Sequence, residues 1–369
     1  MVVLAKGELD QITLPAAQPP PADVRSVDLS APAGPARAAA ARAMAAACEE
    51  HGFLRVTGHG VPPELARAAE AASARFFALP QGEKEAAAQL GYGSKRIGGN
   101  GDLGWVEYLL LGVTPSGAVP SAFASSSTLP CAAAAAVDAA ASASSSTPPC
   151  PLRDVLEEYA AAVRRLARAV LELMAEGLGI ASPDALARLV TRGDSDCMLR
   201  VNHYPPRPAA AELVTGFGEH TDPQIISVLR SNGTSGLEIA LRDGAWASVP
   251  PDGDAFFVNV GDTLQVSASF FLSFYRVSSI SIEQIDQSPV LTNGRFRSVR
   301  HRVVVNGDRS RVSMIFFGGP PPGERLAPLP ELIGNGGRSR YKEFTWKEFK
   351  SSGCRTRLAE DRLSRFENY

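Results

Sequence analysis

Cysteine is scarce in this chain. The five thiols, Cys48, Cys131, Cys150, Cys197 and Cys354, are odd in number, scattered, and form no Cys-x-x-Cys pair. That argues against a disulfide framework and fits reduced thiols in a cytoplasmic protein, with the nucleus as an alternative compartment. Long hydrophobic runs are missing too. No stretch reaches the ~18 apolar residues that a membrane span needs, and the apolar opening, Met1–Lys6, is too short for a secretory leader. Ala31 to Cys48 has the Ala/Arg-rich composition of a transit peptide. It runs straight into Glu49-Glu50 and a patterned segment, so it reads as an ordinary amphipathic helix. There is no surplus of positive charge: the formal net charge is −2, which gives no support to binding nucleic acid or a membrane surface. Nothing in the sequence sets the oligomeric state.

What is present fits a globular chain with a sizeable core, since 45% of the 369 residues are hydrophobic and 21% charged. Residues 1–24 are proline-rich and read as an extended lead-in. Val27-Asp28-Leu29 and Phe53-Leu54-Arg55-Val56 read as strands. Ala36–His51 and Pro62–Phe77 read as helices, the latter with proline in its first turn. From Thr114 to Leu152 the chain is Ala/Ser/Pro-rich and Asp138 is its single charge. Such a stretch buries too little to offset its ordering entropy and is expected to be a loop, partly helical at most. Asp154 to Ile180 predicts a long amphipathic helix with Leu156, Tyr159, Val163, Leu166 and Val170 on one stripe and stops at Gly177 or Gly179.

Beyond that helix the pattern changes to short strands: Leu199–His203, Ile225–Leu229, Leu237–Leu241, Trp246–Val249, Ala255–Val260, Arg300–Val305 and Arg311–Phe317. Between them lie Asn232-Gly233, Asp243-Gly244, Asp252-Gly253 and Asn306-Gly307, all turn signals. This predicts an antiparallel sandwich or jelly roll, followed by a helical tail from Tyr341 to Tyr369. The expected divisions are an N-terminal helix/strand region over 1–111, a low-complexity loop over 112–152, a helix over 153–195, a β core over 196–325 and a tail over 326–369.

The chemistry concentrates in that β core. His220 and Asp222 stand two apart, so in extended chain both side chains share a face and can reach one ion. His301 lies on a separate strand. Two imidazoles and one carboxylate with open positions are the ligand set of non-haem Fe(II) oxygenases. For a bare His-x-Asp the bland alternative is that His220 caps a turn and His301 sits on the surface among arginines. Arg311 and Ser313 also share a face, and a guanidinium fork with a hydroxyl beside it suits a carboxylate. Asn202-His203-Tyr204-Pro205-Pro206 holds a tyrosine on stiff backbone. His203 is a rival metal ligand, but in a strand it faces away from Asn202 and Tyr204, so it reads as structural or substrate-lining. Gly98-Gly99-Asn100-Gly101 has no strand–turn–helix context or lysine and is not a phosphate loop.

The segments Cys48–Phe53, Asn202–Pro206, His220-Thr221-Asp222-Pro223-Gln224, Asn293–Phe296 and Arg311-Val312-Ser313 resemble the plant 2-oxoglutarate-dependent dioxygenases related to isopenicillin N synthase. Gly91–Gly98, Asn100-Gly101-Asp102 and Gly104-Trp105-Val106-Glu107-Tyr108-Leu109-Leu110 resemble, within that family, the gibberellin 2-beta-dioxygenases acting on nineteen-carbon gibberellins. The resemblance implies a mainly β fold with flanking helices and a double-stranded β-helix (jelly-roll) core of the isopenicillin N synthase-like type. It also implies Fe(II) on His220, Asp222 and His301, and 2-oxoglutarate held by Arg311 and Ser313 with Tyr204 and Asn202. The activity implied is 2-beta-hydroxylation, which inactivates the hormone, using O2 and yielding succinate and CO2, with ascorbate as reductant. Thr57-Gly58-His59 and Arg207 depart from the family pattern away from the site.

A larger departure is an insertion. The family runs from Gly261–Val266 directly into Leu291–Phe296, whereas here a serine-rich segment, residues 267–290, intervenes. Setting it aside restores the family spacing between Asp222 and His301, which suggests a retained intron or a gene-model error; the alternative is a genuine surface loop. Two other functional readings stay open. One is a sibling dioxygenase acting at another gibberellin position or on a flavonoid. The other is a binding form left catalytically impaired by the insertion. Lys95, Arg96, Arg295, Arg297 and Arg300 could attract a substrate carboxylate, or simply form a solvated basic face.

Overall fold

The computed structural model describes residues 2, 4–14, 19–87, 90–97, 101–114, 151–207, 213–265, 290–292, 295–328, 341–353 and 356–367. Most of the Ala/Ser/Pro-rich stretch, Gly98–Asn100 and residues 267–289 of the insertion lie outside the described residues.

In chain order come α1 (Lys6–Asp10), β1 (Thr13–Leu14), β2 (Ser26–Asp28), α2 (Pro35–Glu50), β3 (Phe53–Thr57), α3 (Pro63–Phe77), α4 (Gln81–Ala86), β4 (Gly93–Arg96), β5 (Leu103–Val113), α5 (Pro151–Leu178) and α6 (Arg188–Thr191). The β-rich part follows as β6 (Cys197–Tyr204), β7 (Leu213–His220), β8 (Ile226–Ser231), β9 (Leu237–Ala240), β10 (Trp246–Ser248), β11 (Phe256–Val260), α7 (Asp262–Gln265), β12 (Val290–Leu291), β13 (His301–Val304) and β14 (Arg311–Gly318). The end of the chain holds β15 (Arg325–Pro328), β16 (Phe344–Thr345), α8 (Trp346–Gly353) and a 3-10 turn at Leu363–Phe366. An eight-stranded sheet, β2-β3-β11-β8-β14-β6-β5-β4, faces a five-stranded one, β1-β7-β13-β9-β10. This is the expected jelly roll with flanking helices. Among the described residues no helix is long and apolar enough to cross a membrane.

The large sheet is covered outside by helices, so its central strands β8 and β11 are buried on both faces. The main cover is α5, whose Leu156, Tyr159, Val163, Leu166 and Val170 are almost fully buried at the expected three-to-four spacing. Each such side chain contributes about 1.5–3 kcal/mol on burial. Gly177 does not end this helix. A side chain there would sit 2.2 Å from the Ala41 carbonyl of α2, so glycine sets the close approach of two helices. The stop comes at Gly179, whose φ is +73°. Strands β5 and β7 escape the sequence pattern, because glycines and a leucine run hide the alternation in β5. The tail is less helical than expected: α8 and one 3-10 turn account for it among the described residues.

A buried ion cluster ties β5 to this outer layer. Glu107, 1% exposed, accepts from Lys84 Nζ at 2.6 Å, from the Tyr92 hydroxyl at 2.8 Å, and pairs with His203 Nδ1 at 2.8 Å. Burial alone raises its pKa, but the bonds from His203, Lys84 and Tyr92 outweigh that and hold it at about 2.

On either side of the insertion the chain is joined. Thr292 donates from its backbone N–H at 3.1 Å and from its hydroxyl at 2.7 Å to the Leu264 carbonyl. Leu264 and Thr292 are therefore adjacent, and the entropy of closing a chain between two such points grows only slowly with its length.

Two outcomes follow. Lys84→Met leaves Glu107 without its cation and lowers unfolding stability by about 3 kcal/mol in urea titration. Because the folded pKa of Glu107 lies below its ordinary 4.5, its contribution is present above that pH and fades as pH falls toward 2. The variant's stability should depend less steeply on pH over that window. Deleting residues 267–290 should leave the cooperative thermal transition intact; loss of that transition would show that the segment is part of the core.

Candidate iron and co-substrate site

The barrel register builds the site. His301 of β13 lies directly opposite His220, the last residue of β7, and their rings are 4.2 Å apart. Asp222 follows two residues later in the turn toward β8. Its Oδ1 is 3.6 Å from His220 Nε2 and 3.8 Å from His301 Nε2. One ligand atom from each of the three residues lies within 4.8 Å of the others.

Each of these groups is fixed through its other polar atom. His220 Nδ1–H donates to the Gly218 carbonyl at 2.7 Å, and His301 Nδ1–H to that of Val299 at 3.2 Å. Both Nε2 lone pairs are thereby left pointing inward. Asp222 Oδ2 accepts from Ser227 Oγ at 2.6 Å and Asn259 Nδ2 at 3.2 Å, which leaves Oδ1 free. Ser227 and Asn259 are themselves cross-strand partners of β8 and β11. Burial, with His301 beside it, pushes His220 down to about 3, so the imidazole is neutral near pH 7. For Asp222 burial acts upward, but His301, His220 and the two donors outweigh it and keep the carboxyl ionised. Two imidazoles and one carboxylate fit a divalent first-row metal.

Above the cluster, β14 and β6 pair so that Arg311 faces Tyr204 and Ser313 faces Asn202. All four line one pocket with the His/Asp/His cluster. Arg311 is 3% exposed and its Nε has no hydrogen-bond partner. A buried cation with an unused donor is a ready receptor for a carboxylate. The Tyr204 hydroxyl reaches Ser313 and Asn202, and burial raises its pKa, so it stays a donor. Gly216 makes room for this ring, since a Cβ there would lie 2.6 Å from Tyr204 Cδ1.

The residues that the resemblance assigned to iron and co-substrate all line this pocket. His203 does not. It points to the outer face, stacks on Phe77 at 5.1 Å and pairs with Glu107. The five basic residues considered for substrate attraction do not line the pocket either. Lys95, Arg295 and Arg300 pair with Glu8, Glu49 and Glu219, and Arg297 donates to the Leu241 carbonyl. Sequence reading passed over Arg200, Ser227, Asn259 and Gly216. The two-residue period of β6, Arg200-x-Asn202-x-Tyr204, would have flagged Arg200; the other three carry no local signal.

Residues 195–320 match the 2OG-Fe(II) oxygenase superfamily, and residues 24–123 match the N-terminal region of the non-haem dioxygenases in morphine synthesis. Gibberellin 2-beta-dioxygenase 1 of Pisum sativum is 44% identical over 376 aligned residues, covering 100% of this chain and 98% of the relative. The chain belongs to the gibberellin 2-beta-dioxygenases of the 2OG-Fe(II) oxygenase superfamily. The gibberellin 2-beta-dioxygenase of Phaseolus coccineus is 46% identical, covering 87% of this chain and 86% of the relative. Among solved structures, JOX2 in complex with 2OG, Fe and JA superposes with a TM-score of 0.72 at 25% identity, covering 100% of this chain and 95% of that one. The dioxygenase for auxin oxidation in rice shares the fold at a TM-score of 0.67, with 24% identity, 94% of this chain and 100% of that one. Membership brings Fe(II) and 2-oxoglutarate as cofactor and co-substrate.

Ser227→Ala removes the shorter bond to Asp222 Oδ2 and should weaken metal binding about 10- to 100-fold, as loss of an outer partner typically does. Co(II) titration under anaerobic conditions reads this directly, with unchanged thermal unfolding of the metal-free protein as control.

Proposed function

We propose that this protein inactivates gibberellins by 2-beta-hydroxylation, coupled to oxidative decarboxylation of 2-oxoglutarate to succinate and CO2. The observation that carries the reading is identity of 44% along the whole chain to a relative bearing that activity's name. In this reading His220, Asp222 and His301 hold Fe(II), and Arg311 with Ser313 holds the distal carboxylate of 2-oxoglutarate. Tyr204 and Asn202 complete that co-substrate site. Bound together, Fe(II) and 2-oxoglutarate supply the activation of dioxygen that hydroxylation requires.

The protein's own share is orientation and exclusion. His220, Asp222 and His301 converge from the barrel wall and would hold the metal ion there. Arg311 and Ser313 would hold the distal carboxylate of the co-substrate in the pocket that the His/Asp/His cluster also lines. Leu229, Leu237, Val303 and Ile315 line the same pocket and keep it apolar where a terpenoid skeleton would lie. Side chains here act as ligands and as carboxylate receptors, with no nucleophile. The same reading puts the protein in the cytoplasm or nucleus, consistent with Cys48 and Cys197 being buried free thiols.

Incubation with a nineteen-carbon gibberellin, Fe(II), 2-oxoglutarate and ascorbate tests this. The expected product gains one oxygen at the 2-beta position, with one succinate released per product. Succinate release without hydroxylation of any member of a gibberellin panel would reject the substrate, and a hydroxyl at another carbon would reject the position. Arg311→Met should raise the KM for 2-oxoglutarate by more than about 100-fold, which is about 3 kcal/mol, while leaving Co(II) affinity within a factor of three. Asp222→Ala should abolish turnover.

A further inference from the structure

Two cations line the pocket, Arg311 buried and Arg200 partly buried, and the co-substrate accounts for the first. The second is Arg200 of β6. It shares the inward face with Asn202 and Tyr204 and lies opposite Ile315 of β14, whereas Arg311 lies opposite Tyr204. Four residues of ladder therefore separate the two cations, roughly 13 Å along the strands. Arg311 stands at the Tyr204–Ser313 end, and Arg200 at the other, toward Phe217 and Phe317.

Arg200 is held and left unsatisfied at the same time. Its Nε donates to Asn202 Oδ1 at 2.8 Å. Its guanidinium carbon lies 4.1 Å from the ring centre of Tyr108 and 5.0 Å from that of Phe217. Its Nη2 is shielded from solvent and has no hydrogen-bond partner. No carboxylate among the described residues pairs with it, whereas buried Lys84 and Arg230 each have one, Glu107 and Glu70. Burying an unpaired guanidinium is costly, and two aromatic faces offset only part of that. A planar, pre-oriented fork with an open donor in a ligand cavity fits an anionic group brought by the ligand.

Resting on the gibberellin reading above, we propose that Arg200 is the receptor for the substrate's carboxylate. Gibberellins are carboxylic acids on an apolar skeleton, and this pocket offers an apolar wall ending in a cation. The placement also gives the Gly104–Leu110 segment a purpose. On β5, Glu107 faces outward and is locked by Lys84, Tyr92 and His203, while its neighbour Tyr108 faces inward against Arg200. Tyr108 is thus a positioning residue that acts through the guanidinium.

Equilibrium binding without turnover tests this. The protein is loaded with Mn(II) and 2-oxoglutarate under argon and titrated with a nineteen-carbon gibberellin and, separately, with its methyl ester. Wild type should bind the acid at least 30-fold more tightly than the ester. Arg200→Met should weaken the acid about 100-fold and the ester less than 3-fold, with Mn(II) and 2-oxoglutarate affinities unchanged. Arg200→Lys should recover part of the preference for the acid. Tyr108→Leu should reduce that preference without abolishing it. Wild type binding acid and ester equally would overturn the receptor while leaving the substrate reading intact. Equal losses for acid and ester in Arg200→Met, or a loss of 2-oxoglutarate affinity, would also overturn it. Wild type binding neither compound would overturn the substrate reading and the receptor together.

Discussion

One carboxylate oxygen of Asp222 is tied to Ser227 and Asn259, and the chemistry of the pocket depends on the other being free. A carboxylate buried among two imidazoles has several ways to satisfy itself, including a direct bond to either ring. The two donors remove that choice by holding Oδ2 at 2.6 and 3.2 Å. They can do so because β8 and β11 are paired in one register, which puts Ser227 opposite Asn259. The carbonyls of Gly218 and Val299 do the same for the imidazoles. Metal-ligating geometry is thus imposed by hydrogen bonds that point away from the metal.

A barrel that turns polar and charged groups inward must be supported from outside. Here α5 covers the large sheet with an apolar stripe, and the Glu107–Lys84–Tyr92–His203 cluster fastens β5 and β6 to the outer layer. The two faces of β5 and β6 divide the work. Outward residues Glu107 and His203 join the ion cluster, inward residues Arg200, Asn202 and Tyr204 line the pocket, and Tyr108 packs against Arg200. Alternation along a strand therefore couples the stability of the shell to the alignment of the pocket.

Much of this was legible in the residues. The pairs His220/Asp222 and Arg311/Ser313 share a face because a strand repeats every two residues, and the short strands with Asn-Gly and Asp-Gly turns indicated the jelly roll. His203 faced outward for the same reason. Other features were hidden. In β5 a leucine run and two glycines mask the period, and Gly177 reads as a helix stop although it serves a helix contact. Arg200 was overlooked in favour of exposed arginines, because a sequence shows charge without showing which charges have found partners.

The sequence by itself determined which donor atoms this protein has and on which strand face each one lies, since strand periodicity is a local property of the backbone. Only the tertiary structure decided which faces meet. Cross-strand register brought His301 opposite His220 and Arg311 opposite Tyr204, and it joined Leu264 to Thr292 across the insertion. It also separated the cations neutralised by a carboxylate from the two left open in the pocket. Such pairings depend on distances between residues remote in the chain, and those are fixed only when the barrel closes.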